Sequence, residues 1–242
     1  MSIWDAVFWG AFSSASLYIG AALAGPMANR ERLTGQVMGF GAGAMISAVA
    51  YELIPLSSIE DGWRIGAAFL AGAIVYFVAD HLVDSQGGKH RQEIDADKQG
   101  GSGAAMFLGA LLDGVPEALV LGITLSLGGS ISLAFVAAIF VSNIPQGIAG
   151  TLSLQAAGTA MPRIIGMWTV LTLLCAAMAA LGYAVADEVP DQGLYAEAFA
   201  AGAVLTMLAD SMMPEGFEHG GKTVGLLTVF GFFVAGVLTV LD

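Results

Sequence analysis

Polar residues are gathered into short stretches between long apolar runs along this chain. Eight of those runs are long enough to cross a bilayer, which takes about 20 apolar residues in helical form. They cover 3–25, 34–56, 65–84, 104–127, 131–156, 163–186, 193–214 and 222–241. No period-two alternation marks barrel strands, and each run is too long for a strand. The pattern therefore predicts an all-α polytopic membrane protein, with residues 1–242 as a single transmembrane domain. The connections are short except for 85–103, which is polar, Gly-rich and mixed in charge and reads as a flexible loop. The stretch Met1-Ser2-Ile3-Trp4-Asp5 carries no basic residue, so the first run reads as a retained span and not a cleaved signal peptide.

The apolar pattern is broken mid-run in two places. One is Asp113-Gly114-Val115-Pro116-Glu117, and its echo is Ser142-Asn143-Ile144-Pro145-Gln146. Asp113 and Glu117 are four residues apart and share a helix face, as do Ser142 and Gln146, with Asn143 about 100° around the helix. An ionised side chain at the centre of a membrane helix costs about 3 kcal/mol or more unless it is paired or bound. Pro116 and Pro145 are predicted helix-kink positions. Each lacks an N–H, which frees the carbonyls of Leu112 and Val141. Carboxylates, amides and spare carbonyl oxygens at one depth make a plausible cation cage. The alternative is a pair of proline kinks held by local hydrogen bonds.

Composition sharpens this picture. The chain is 57% hydrophobic and 12% charged, against about 25% charged for an ordinary soluble domain. Its 33 glycines suit helices that approach closely where no hydrophobic drive separates helix from lipid. Eight Lys plus Arg and a net charge of −12 argue against nucleic acid as a partner. The single cysteine, Cys175, allows no intrachain disulfide and reads as a packing residue. With the N-terminus outside, the inner loops hold Arg30, Arg32, Lys89, Arg91, Lys98, Arg163 and Lys222, and the outer loops hold Arg64. That bias places both termini outside and makes 85–103 a cytoplasmic loop.

The chain also repeats itself. Phe40, Gly43, Ala44 and Pro55 in the second span match Phe199, Gly202, Ala203 and Pro214 in the seventh, each 159 residues on. The central motifs match at an offset of 29. Matched spans cross in opposite senses, so the expected architecture is a 3+2+3 inverted repeat, a plan common in transporters with a midplane site. Glu52 and Asp210 fall in the repeated spans and are candidates for a transport path. Asp80 and His81 close the third span near the inner face and read as residues reaching water more than as part of a transport path, and His90 in the loop reads as solvated more than as a metal contact. Asp187, Glu188 and Asp191 form either an acidic entrance or a solvated turn. Glu197 reads as solvated. No Ser–His pair shares a depth, because His81 is near a membrane face and Ser142 is central, so the chain does not read as a hydrolase or other enzyme.

These motifs resemble the ZIP (Zrt-, Irt-like protein) divalent metal transporters. The resemblance rests on Pro116-Glu117 and Pro145-Gln146-Gly147 in adjacent central spans, flanked by Gly41-Ala-Gly-Ala-Met45 with Glu52-Leu-Ile-Pro55, and by Ala201-Gly-Ala203 with Asp210 and Met213-Pro-Glu215. It covers essentially the whole chain and implies a divergent prokaryotic member in the cell membrane. The family pattern on span four is His-Asn-x-Pro-Glu-Gly, where this chain has Asp113, Gly114, Glu117 and Ala118. On span five Ser142, Asn143 and Gln146 take the ligand places, and span six offers no acid. The resemblance implies metal ligation by Asp113, Glu117, Asn143, Gln146 and Ser142, with one divalent cation as transported substrate. Zn²⁺ favours nitrogen and sulfur. This oxygen-rich set fits Mn²⁺, Mg²⁺, Ca²⁺ or Fe²⁺ better. Implied partners are the lipid bilayer, the cation and a second copy in a homodimer. The alternative function is a non-transporting ZIP-like membrane protein with a structural or regulatory role.

Overall fold

The computed structural model describes residues 1–53, 62–88, 103–128, 132–186 and 193–241. Pro55, His90, the basic residues Lys89, Arg91 and Lys98, most of the 85–103 loop, and Asp187, Glu188 and Asp191 lie outside them. Among the described residues there is no strand. Eight helices are long and apolar enough to cross a membrane, which fits an integral membrane protein. They are α1 (Ile3–Met27), α2 (Glu31–Leu53), α3 (Gly62–Gln86), α4 (Gly103–Leu127), α5 (Leu133–Ala156), α6 (Met161–Val185), α7 (Leu194–Gly220) and α8 (Thr223–Leu241). Helices satisfy every backbone group within the segment, which hydrocarbon demands.

Local chemistry sets the ends. Asp5 accepts from the Ser2 amide at 2.7 Å and the Ser2 hydroxyl at 3.0 Å, closing the first turn of α1. The Ser132 hydroxyl accepts from the Phe135 amide at 3.1 Å to start α5. Gly158 at φ 80° and Gly221 at φ 71° make the left-handed turns after α5 and α7.

Three spans run differently from the sequence expectation, one of them α3, which starts at Gly62 and continues through a helical turn, Asp84–Gly88, into the expected loop. α2 begins at Glu31, and α7 continues past Pro214 to Gly220. Each carries one π-helical turn, Val49–Leu53 in α2 and Leu208–Met212 in α7. The turn in α7 directly precedes Met213 and Pro214. A proline ring collides with the carbonyl four residues back. Widening the preceding turn relieves that collision and lets the helix continue.

The helices pack as two fours. α1, α4, α5 and α6 lie together, as do the pairs α2 with α8 and α3 with α7. α2 packs on α5 and α4 on α7, joining the two fours. Glycines set the closest seams. A Cβ on Gly43 would fall on the Thr228 carbonyl oxygen, and one on Gly231 would fall on that of Phe40, across α2 and α8. Across α3 and α7, Gly72 meets the Phe199 carbonyl and Gly202 that of Phe69 in the same way. α2 and α5 are the most enclosed spans, and α3 and α8 the least. Leu70, Ile74 and Phe77 on α3, with Leu226, Val229 and Phe233 on α8, are exposed and form an apolar exterior suited to lipid.

Candidate functional site

The two central motifs sit at matching places in their helices. Asp113 is ten residues past Gly103, the start of α4, and Asn143 is ten past Leu133, the start of α5. Both helices run through their prolines, Pro116 and Pro145. A cavity lies between α1, α4, α5 and α6, and Asp113, Asn143 and Gln146 all line it. It offers about 20 Å³ to the centres of water-sized molecules, room for about one water or one ion. From these polar groups it extends toward Met106, Leu154 and Trp168.

Each candidate is held differently. Asp113 is buried and accepts a hydrogen bond from the Tyr76 phenol of α3 at 2.5 Å. The buried Asn143 amide donates to the Ser13 carbonyl of α1 at 3.4 Å. Gln146 is partly buried, and its amide points to the Met212 sulfur of α7 at 3.9 Å. Glu117 is buried one turn beyond Asp113 and is not part of the cavity lining. Its Oε1 is enclosed without a hydrogen-bond partner. Such an atom costs about 1–3 kcal/mol, and more if charged, so it calls for an explanation.

Ser142 does not join the others. Its hydroxyl donates to the Ile139 carbonyl of its own helix at 2.9 Å, and it packs against Gly41 of α2, outside the cavity lining. The path candidates are also apart. Glu52 is partly buried in the π turn of α2, while Asp210 is exposed on an open recess shared with Phe69, Gly202 and Thr206. Asp80 is buried and has an interaction partner, so it does not reach water as expected; His81 is exposed and stacks on Phe77. Glu197 is partly buried, not solvated.

Sequence reasoning missed three contributors. Tyr76 looks like one more aromatic in an apolar run, yet its ring is turned inward to Asp113. Cys175 packs as expected, but it also lines the cavity, with its thiol 3.6 Å from the Gly114 carbonyl. Ser14 lines the same cavity from α1. The usable signal for Tyr76 was its phenol, because a buried tyrosine hydroxyl usually finds a partner. Around the cavity, the Trp168 indole donates to Thr151 at 3.0 Å and ties α6 to α5.

Among the described residues, no group of three or more His, Cys, Asp or Glu stands together as a metal cluster. What the cavity presents is one carboxylate, two amides, a hydroxyl and a thiol, with a second carboxylate enclosed one turn away. No protein-family model matches the chain, and no curated protein matches it.

Proposed function

We propose that this chain is a ZIP-like carrier of one divalent cation, with Asp113 and Glu117 as charged ligands and Asn143 and Gln146 as neutral oxygen donors. The observation that carries the reading is the convergence of Asp113, Asn143 and Gln146 on one buried cavity of single-ion size, with the unpartnered Glu117 oxygen beside them. A buried carboxylate oxygen without a donor is explained if a cation visits it. Oxygen donors with few carboxylates suit Mn²⁺ or Mg²⁺ better than Zn²⁺.

The 3+2+3 inverted repeat belongs to the same proposal. Gly43 and Phe40 become Gly202 and Phe199 on adding 159, while Gly231 and Thr228 become Gly72 and Phe69 on subtracting it. One glycine-on-carbonyl seam thus maps onto the other, and the third and eighth spans enter the register already read for the second and seventh. The π turns follow the same offset, Val49–Leu53 onto Leu208–Met212. In this reading the two halves lie in opposite senses, both termini face outward, and access alternates around the central pair.

The test is uptake of Mn²⁺ into proteoliposomes. Wild type accumulates the ion, and Asp113→Asn with Glu117→Gln abolishes accumulation. Equal uptake by the double variant, or none by wild type, sinks the proposal. A second reading is a non-transporting membrane protein, and the lack of a three-residue ligand cluster among the described residues favours it. It requires no uptake by wild type and full tolerance of both substitutions.

A further inference from the structure

We infer that Tyr76 is a positioning residue for the cation site, fixing the Asp113 carboxylate in the one orientation that receives the ion. The inference rests on the carrier reading of Asp113 given above. It starts from a contact between helices of different groups. Tyr76 belongs to α3, which packs on α7, whereas Asp113 belongs to α4, which packs on α6. The phenol reaches across and donates to Asp113 Oδ1 at 2.5 Å, with both side chains 3% exposed.

The setting makes the bond consequential. α3 exposes Ile74, Val75 and Phe77 beside Tyr76, and Tyr76 lies on its narrow inward stripe with Ile65, Gly72 and Asp80. An inward phenol on such a helix has a specific polar task. A ligand carboxylate must be held close to its productive geometry, and the group that hydrogen-bonds it supplies the restraint. The phenol binds one oxygen and stops rotation of the carboxylate about its last bond. Gln146 is held across the same divide, by Met212 of α7. The helices outside the cavity therefore orient two of its donors, and loading the site is tied to how the two groups of helices sit together.

The experiment uses the full chain in detergent and Mn²⁺ alone as the probe. Calorimetric titration compares wild type with Tyr76→Phe, which keeps the ring and removes the hydroxyl. The expected loss of affinity is about 10–100-fold, and the metal-free protein unfolds at a lower temperature than wild type because a buried carboxylate loses a donor. Infrared difference spectra add a readout that a merely structural role leaves still. The Mn²⁺-induced carboxylate band that disappears in Asp113→Asn shifts in position in Tyr76→Phe. Equal affinity and an unshifted band overturn the inference and leave the carrier reading standing. Absence of Mn²⁺ binding by wild type overturns the carrier reading and this role with it. If Tyr76→Phe does not fold, 3-fluorotyrosine at position 76 retains ring and hydroxyl with a more acidic phenol. A shifted Asp113 band then supports the role, and an unchanged band overturns it.

Discussion

Gly43→Ala gives the sharpest test of how the helices are held. The added methyl would fall on the Thr228 carbonyl oxygen of α8, a backbone atom that no rotamer change can move. A carbon stands about 3.3 Å from a carbonyl oxygen even in close C–H···O contact, so the α2–α8 seam must open by roughly 1 Å. A gap of that size forfeits up to about half of each contact's dispersion well of 0.1–0.2 kcal/mol. Over a seam comparable to one buried leucine, on the order of 40 contacts, the loss is up to about 2–4 kcal/mol, at the upper end of what overpacking usually costs. Gly66→Ala is the control, because nothing lies within 4 Å of its Cβ position. The assay is unfolding by sodium dodecyl sulfate in mixed micelles, followed by far-ultraviolet circular dichroism. Gly231→Ala strikes the same seam from the other side, so the double variant falls short of the sum. Gly202→Ala strikes the α3–α7 seam, and its loss adds in full to that of Gly43→Ala. A Gly43→Ala variant as stable as Gly66→Ala would falsify the seam argument.

Other outcomes follow from single contacts. Thr151→Val removes the acceptor of the Trp168 indole at 3.0 Å and strands a buried donor, lowering stability by about 1–3 kcal/mol in the same assay. An unchanged midpoint there contradicts the burial of that bond. Gly158→Ala lowers stability by about 1 kcal/mol because φ is 80° in open space, whereas Gly166→Ala, helical and uncrowded, is neutral or stabilising. The opposite order would show that the turn after α5 is not left-handed.

The eight spans were legible because charge is withheld from long blocks, and no folding detail is needed to see that. The central motifs were legible because carboxylates, amides and prolines are conspicuous in apolar surroundings. Lateral neighbours were not. A membrane helix is apolar on its buried and its lipid faces alike, so periodicity says little about which helix meets which. Tyr76 shows the consequence: its contact with Asp113 spans 37 residues, and nothing in its local sequence announces it. Ser142 shows the limit of face arguments. It shares a face with Gln146 by spacing, but its short hydroxyl bonds within its own helix while the longer Gln146 reaches the cavity. The π turns were hidden for another reason. A proline in a span signals a break, and the wider turn that avoids the break is a response of the packed backbone.

Glu117 separates the competing functions through stability alone. Its Oε1 is enclosed without a donor, and methionine matches its length and bulk with no oxygen to satisfy. In metal-free protein Glu117→Met is therefore expected to raise stability, by about 1–3 kcal/mol, because replacing a poorly satisfied buried polar group by a packed apolar one is commonly favourable. Asp113 differs, since Tyr76 donates to it; Asp113→Leu removes that buried hydrogen bond between helices and lowers stability. Adding Mn²⁺ at about 100 times its dissociation constant should then stabilise wild type by about 2.7 kcal/mol and leave Glu117→Met unmoved. If Mn²⁺ stabilises neither protein, the carrier reading fails and the non-transporting one stands. If Glu117→Met is instead less stable than wild type without metal, the enclosed oxygen is a structural anchor. In that case its lack of a donor says nothing of a cation. A site kept for an ion is less stable empty than its apolar replacement, and that sign distinguishes a ligand from a strut.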